Sequence, residues 1–200
     1  MNPVKKKIFS QNEDFRYMAL YGWQDCLGGE ESVAYGYMQG YKTASDELIN
    51  YAHEFGKQDI LVYPIMFSYR QYLELSLKYV FFLLYGKNKT EVLIKGNNAH
   101  SLNKVWNEIK TDDYIINHLP QNDIDFISDI VLFFSDIDDS SMNFRFFWDR
   151  DVNLSIDLKD ELRINLEELK FTVSKFDDII SRHIENLLSK QQTNNLYLEV

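Results

Sequence analysis

Three charges spaced four apart, Arg70, Glu74 and Lys78, are set into the otherwise apolar stretch Val62–Tyr85, VYPIMFSYRQYLELSLKYVFFLLY. On a helix that spacing puts the three side chains almost above one another, with the carboxylate between two cations. Two chemistries follow from such a set. It can be a buried ion-pair ladder that fixes helix register, since a buried charge persists only when paired. Alternatively it lines a pocket in which Arg70 and Lys78 hold an anion such as phosphate while Glu74 orients them. Glu74 is a poor general base in either case, because flanking cations lower a carboxyl pKa.

Two further side chains are candidates. His100 stands one residue before Ser101, which with Asn98 is a candidate helix cap, and is either a capping or packing histidine or a pocket residue with a titratable ring. Arg145 lies between Phe144 and Phe146. If that segment is extended, Arg145 faces away from both rings and toward Glu74 or a bound anion. The alternative is a loop-anchoring salt bridge to a nearby aspartate. The acidic set Asp136, Asp138, Asp139, Asp149 and Asp151 lacks the glycine and spacing of a calcium loop and reads as a solvated surface. His53, His118 and His183 form no zinc-binding pair, so no metal and no cofactor is expected. No P-loop, dinucleotide glycine pattern or nucleophile elbow occurs.

These residues need elements to position them. The apolar run is a central helix covered by others, starting near Tyr63 with Pro64 in its first turn and ending at Gly86. Before it, the apolar positions Ala34, Tyr37, Met38, Tyr41, Ala44, Leu48, Tyr51 and Ala52 recur at helical spacing from Ser32 to Phe55, with Glu30 and Glu31 suited to the first turn and Gly56 to the stop. Gly36 and Gly40 weaken that helix unless they let another helix come close. Lys87–Asn98 reads as a polar loop. A helix follows with Leu102, Val105, Trp106 and Ile109 inward. After a bend at 112–120, another helix capped by Asn122 or Asp123 turns Ile124, Ile127, Ile130, Val131 and Phe134 inward. Residues 135–156 have no helical period and are expected to form an irregular loop or small β-hairpin. The last helix spans about 165–190, and residues 1–11 and 191–200 are expected to be mobile tails.

The 200 residues suit one domain with a real core. The reading is an all-α, up-and-down helical bundle of four to six helices. With 31 acidic and 21 basic residues the net charge is −10, which disfavours non-specific nucleic-acid binding, and no DNA partner is expected. The one cysteine, Cys26, excludes an internal disulfide and fits a reducing cytoplasm. The basic N-terminus lacks a following apolar run, and the charges within 62–85 make membrane insertion expensive. A soluble cytoplasmic protein is expected.

Four segments in order resemble HEPN-type proteins. They are Y-P-x-x-F-x-x-R-x-x-x-E-L-x-L-K (Tyr63–Lys78), A-H-S-L-x-x-x-W (Ala99–Trp106), D-D-S-S-x-x-F-R-F (Asp138–Phe146) and I-N-L-x-x-L (Ile164–Leu169). The resemblance implies an all-α bundle, homodimerisation, and a role in prokaryotic defence or toxin–antitoxin systems. Many such proteins are metal-independent ribonucleases sharing an Arg followed four to six residues later by His. None of the arginines here, at 16, 70, 145, 150, 163 and 182, has that His. The first expectation is therefore a binding or interaction module that takes a nucleotide, an RNA phosphate or a protein partner through Arg70, Glu74, Lys78, His100 and Arg145. A divergent ribonuclease using His100 and Arg145 is the second, and a structural mobile-element protein the third.

Overall fold

The computed structural model describes residues 30–96, 99–138, 141, 143–146, 151 and 163–198. The chain divides into two compact units, Met1–Gly36 and Tyr37–Val200. Six helices run through the described residues, with no strand among them: α1 Glu30–Phe55, α2 Gln58–Lys95, α3 Leu102–Lys110, α4 Asp113–His118, α5 Gln121–Asp138 and α6 Leu166–Leu198. The all-α bundle expected from hydrophobic periodicity is what forms. Most of the expected irregular loop or small hairpin at 135–156 lies outside the described residues; 135–138 instead complete helix α5, and residues 143–145 are a turn.

Helix α1 stops at Gly56, whose φ of 61° lies in the left-handed region that favours glycine. The chain reverses there, and the Lys57 amide donates back to the Ala52 carbonyl at 3.0 Å. Helix α1 buries Met38, Ser45, Ile49 and Ala52 and is tied to α2, where the Ser45 hydroxyl donates to the Ile65 carbonyl, and to α6, whose Lys170 Nζ donates to the Asn50 side-chain oxygen. The sequence placed Tyr37, Ala44 and Tyr51 on the same apolar stripe. They lie on the outer side instead, because apolar residues occupy two flanks of α1 and only one can face α2.

Helix α2 is the centre, as its composition requires. Ile65, Met66, Tyr69, Tyr72, Leu73, Leu77 and Val80 are all at most 1% exposed, so the helix is covered on several sides. Its boundaries differ from the expectation at both ends. It begins at Gln58, which leaves Pro64 inside it. Proline there removes one backbone donor, on a side where Ile60 and Pro64 are both exposed and water can reach the freed carbonyl. At the other end Gly86 does break the helix, at φ 75° and ψ −179°, a conformation essentially reserved for glycine. Helical geometry resumes directly and runs to Lys95 where a polar loop was expected. The Lys95–Glu91 ion pair, four residues apart, supports that second arm.

The other elements close the core against α2. Helix α3 is capped by Ser101, whose hydroxyl accepts from the Lys104 amide at 3.4 Å, and it buries Leu102, Val105, Trp106 and Ile109 as its stripe dictates. The bend at 112–120 contains the short helix α4, capped by Asp112. Helix α5 starts at Gln121, ahead of the expected caps, because the Pro120 carbonyl already accepts from the Asp123 and Ile124 amides. Its inward residues Ile124, Ile127, Ile130, Val131 and Phe134 are those expected. On α6, Asn165 caps through its side chain, and Val173, Phe176, Ile180 and Leu187 are buried. The helix continues to Leu198 instead of ending near Lys190, since no Gly or Pro interrupts 190–198.

Candidate functional site

Arg70 is fully buried, and its guanidinium joins three parts of the chain. Nε donates to the Asp138 carbonyl, Nη1 to the Glu74 carboxylate and Nη2 to the His100 carbonyl, each at 2.7 Å. Asp138 is the last residue of α5, where unpaired carbonyls and the helix dipole favour a cation. His100 belongs to the turn before α3. Arg70 thus clasps the end of α5 and the start of α3 onto the middle of α2, using the planar fork that lysine lacks.

The loop beyond α5 is fastened beside it. The Asp138 carboxylate accepts from the Asn143 amide at 3.1 Å, the Asn143 side chain donates to the Ile137 carbonyl at 2.6 Å, and Gln71 donates to the Ser141 hydroxyl at 2.7 Å. Ser141 sits at φ 61°, unusual for a residue other than glycine. Asp138 was expected on a solvated acidic surface, whereas only 1% of it is exposed. Its carboxylate lies 3.9 Å from Arg70 Nε, and the fold uses it to build the turn. Asp136 and Asp151 are exposed, and Asp139 and Asp149 lie outside the described residues.

Glu74 forms the middle of the clasp. One carboxylate oxygen takes Arg70, and the other takes Lys78 Nζ at 2.6 Å and His100 Nδ1 at 2.9 Å. Burial by itself pushes the Glu74 carboxyl pKa up, but the hydrogen bonds and charge from Lys78, with those from Arg70 and His100, outweigh burial and hold it below the usual range. Glu74 is therefore a fixed anion that orients its neighbours. The ladder expected from the spacing of four is present. His100 differs from the rest in being open: its side chain is 64% exposed. With Nδ1 committed to Glu74, Nε2 is the ring nitrogen left to act, and the pairing resembles the carboxylate–imidazole arrangement that fixes a tautomer. Lys78 lies behind it, its side chain 14% exposed.

Arg145 takes a different place from the one the extended reading gave it. It lies in the 143–145 turn, exposed, with its guanidinium 5.0 Å from the centre of the Phe146 ring, and it is not among the partners of Glu74 named above. A turn breaks the alternation that would have aimed it at the carboxylate.

Two polar clusters escaped the sequence reading. In the first, buried tyrosines of α2 reach outward: Tyr69 donates to Asp46 on α1 and Tyr72 to Asp177 on α6, each at 2.5 Å. Lys42 Nζ lies 2.9 Å from Asp46 and 3.8 Å from Asp177. Burial, and then the aspartate acceptor, push both phenol pKa values far up. Lys42 and Asp46 are four apart and visible in sequence, but nothing there links them to Asp177. In the second cluster His118 stacks on the Tyr114 ring at 4.1 Å, while the His183 ring on α6 lies 5.4 Å away and Lys190 Nζ 4.4 Å away. Burial, with His118 nearby, lowers the His183 pKa, and its Nε2 has no hydrogen-bond partner. Among the described residues no group of three His, Cys, Asp or Glu side chains converges as metal ligands would, and no helix is long and apolar enough to cross a membrane. An apolar groove of about 380 Å³ between α5 and α6, with Phe126, Ile130, Phe133 and Ile164 in its walls, is lined by none of the clasp residues.

Compared with protein-family models, curated proteins and solved structures, the chain matches none.

Proposed function

We propose that this chain is a cytoplasmic, HEPN-like binding or interaction module of a defence or toxin–antitoxin type system, working as a homodimer and taking a nucleotide or RNA phosphate at the open edge of the clasp. The observation that carries the reading is the exposed His100 imidazole held by a buried carboxylate, with the Lys78 ammonium on that same carboxylate. Arg70 and Glu74 are spent on the fold, so the ligand meets His100 and Lys78. Arg145, exposed on the loop that Asp138 and Ser141 fasten beside Arg70, supplies a further cation. Support for the family resemblance comes from geometry: three of its four segments, those holding Arg70, His100 and Asp138, are joined by hydrogen bonds at Arg70.

The test is metal-free incubation of the protein with labelled tRNA, mixed single-stranded RNA and labelled nucleotides, beside His100→Ala and Arg145→Ala. Expected is salt-sensitive binding without cleavage, weakened roughly tenfold or more in His100→Ala, in line with loss of a hydrogen bond to a charged group. Cleavage that disappears in both variants would instead establish the ribonuclease reading. Absence of any binding would reject the anion site and leave a protein partner.

A further inference from the structure

We infer that the outer face of α1, continued by the first turns of α2, is the surface through which two copies of this chain pair antiparallel about Ala44. The pairing of copies belongs to the functional reading above, but its place and register rest on this face alone and use none of the clasp chemistry.

The face is apolar and open. Tyr37 is 56% exposed, Tyr51 and Phe55 51% each, and Gly40 and Ala44 are also exposed. At 100° per residue, positions 37, 40, 44, 48, 51 and 55 fall within one quarter of the helix surface, centred roughly 110° around the helix from the buried Met38, Ser45, Ile49 and Ala52. Helix α2 extends it. The Phe67 ring meets the Tyr41 ring edge-on at 6.4 Å, which places that flank of α2 beside the stripe. Tyr63 and Ile60, one and two turns earlier on the same flank, are 47% and 66% exposed.

The spacing identifies the occupant. From 37 to 51 the steps are three, four, four and three, a series that reads the same in both directions about Ala44. An antiparallel copy related by a two-fold axis at Ala44 therefore meets like with like. Tyr37 lies against Tyr51 of the second copy, Gly40 against Leu48, and Ala44 against Ala44, which is the self-complementarity an isologous interface needs. Glycine at 40 is otherwise unexplained, since a Cβ there would meet nothing within 4 Å in its own chain. Opposite Leu48 it becomes the gap that admits a leucine and lets two helices approach. With aromatic side chains covering roughly 150–250 Å² each, the exposed parts of Tyr37, Ala44, Tyr51, Phe55, Ile60 and Tyr63 amount to about 600 Å² per copy. A pair that covers this face completely buries at most about 1,200 Å², the lower bound of specific stable interfaces. Glu47 and Glu54 border the stripe away from Tyr41 and form a polar rim.

The register makes the test sharp, because a residue on a two-fold axis meets itself. In a Cys26→Ser background the full chain carrying Ala44→Cys is mildly oxidised beside Asn117→Cys, an exposed control on α4. Sedimentation of the wild-type chain and of Ala44→Glu accompanies it. Expected are a wild-type dimer, a disulfide-linked dimer as the main oxidised species for Ala44→Cys only, and a monomeric Ala44→Glu with unchanged helicity. A wild-type monomer overturns the inference. So does a dimer in which Ala44→Cys fails to cross-link or Ala44→Glu still pairs, because the copies then meet through another face. Should Ala44→Glu fail to fold, the cross-link alone decides.

Discussion

Helix α2 carries two polar networks that solve the same problem in opposite ways. The clasp places a full charge, Arg70, at 0% exposure inside the core and satisfies it with a carboxylate and two backbone carbonyls. The Tyr69 and Tyr72 network keeps only neutral hydroxyls in the core and reaches out to Asp46 and Asp177, whose side chains are each 21% exposed. The difference follows from what each must hold. Helices α1 and α6 arrive with their own hydrogen bonds made and need only a point of registration, which one hydroxyl gives. The turn at His100 and the end of α5 arrive with unpaired carbonyls, and a buried acceptor left unpaired is costly. A guanidinium can satisfy two of them and a carboxylate at once. Charge is buried where loops must be anchored, and that same place leaves one imidazole facing water.

The contrast can be broken from either side. The largest effect is expected for Glu74→Ala, which strands Arg70 without its carboxylate and should cost about 3–5 kcal/mol, the range for breaking a buried pair. Gly86→Ala should cost about 1–3 kcal/mol, because alanine is strained at a positive φ although nothing crowds its Cβ. That value, from denaturant unfolding, separates backbone strain from clasp loss. Tyr72→Phe removes one hydrogen bond to a carboxylate at a partly exposed site and should cost about 1–2 kcal/mol. A loss as large as that of Glu74→Ala would mean the hydroxyl network bears as much as the clasp. Arg145→Ala should change the unfolding free energy by about 0.5 kcal/mol or less, as for an exposed side chain away from packing, while weakening ligand binding. An unfolded Arg145→Ala protein would make it an anchor.

Acidity sharpens the same comparison. The lowered folded pKa of Glu74 means its contribution is complete above the ordinary glutamate value, about 4.3, and is lost as pH falls through the lower folded value. His183 is lowered too, so it is buried neutral, and its contribution is full above about 6.5 and declines as pH drops below that. The raised pKa values of Tyr69 and Tyr72 act in the other direction, with stability present below about 10 and lost as pH rises above it. Melting temperature followed against pH should show a first decline below about pH 6.5 that His183→Leu removes, ahead of the steeper carboxylate loss.

Much of this was legible in the chain. The spacing of Arg70, Glu74 and Lys78 forces them onto one helix face, and burial in an apolar run then forces their pairing. The stripe of Leu102, Val105, Trp106 and Ile109 could face only inward, and Ser101 caps the helix that carries it. What stayed hidden depends on contacts distant in sequence. Asp138 reads as one acid among several until α5 ends there against Arg70, 68 residues away. Asp177 is 105 residues from the hydroxyl it receives. Arg145 was misplaced because three residues cannot tell a strand from a turn. Tyr37 and Tyr51 were misplaced because periodicity gives a helix face without saying whether this chain covers it.

The most direct measurement is urea unfolding of Glu74→Ala beside wild type at pH 7. Expected is a destabilisation of about 3–5 kcal/mol with an unchanged denaturant slope, as required if Arg70 is a buried clasp whose carboxylate also orients His100. A loss below about 1 kcal/mol would contradict it, because only an exposed pair is worth so little.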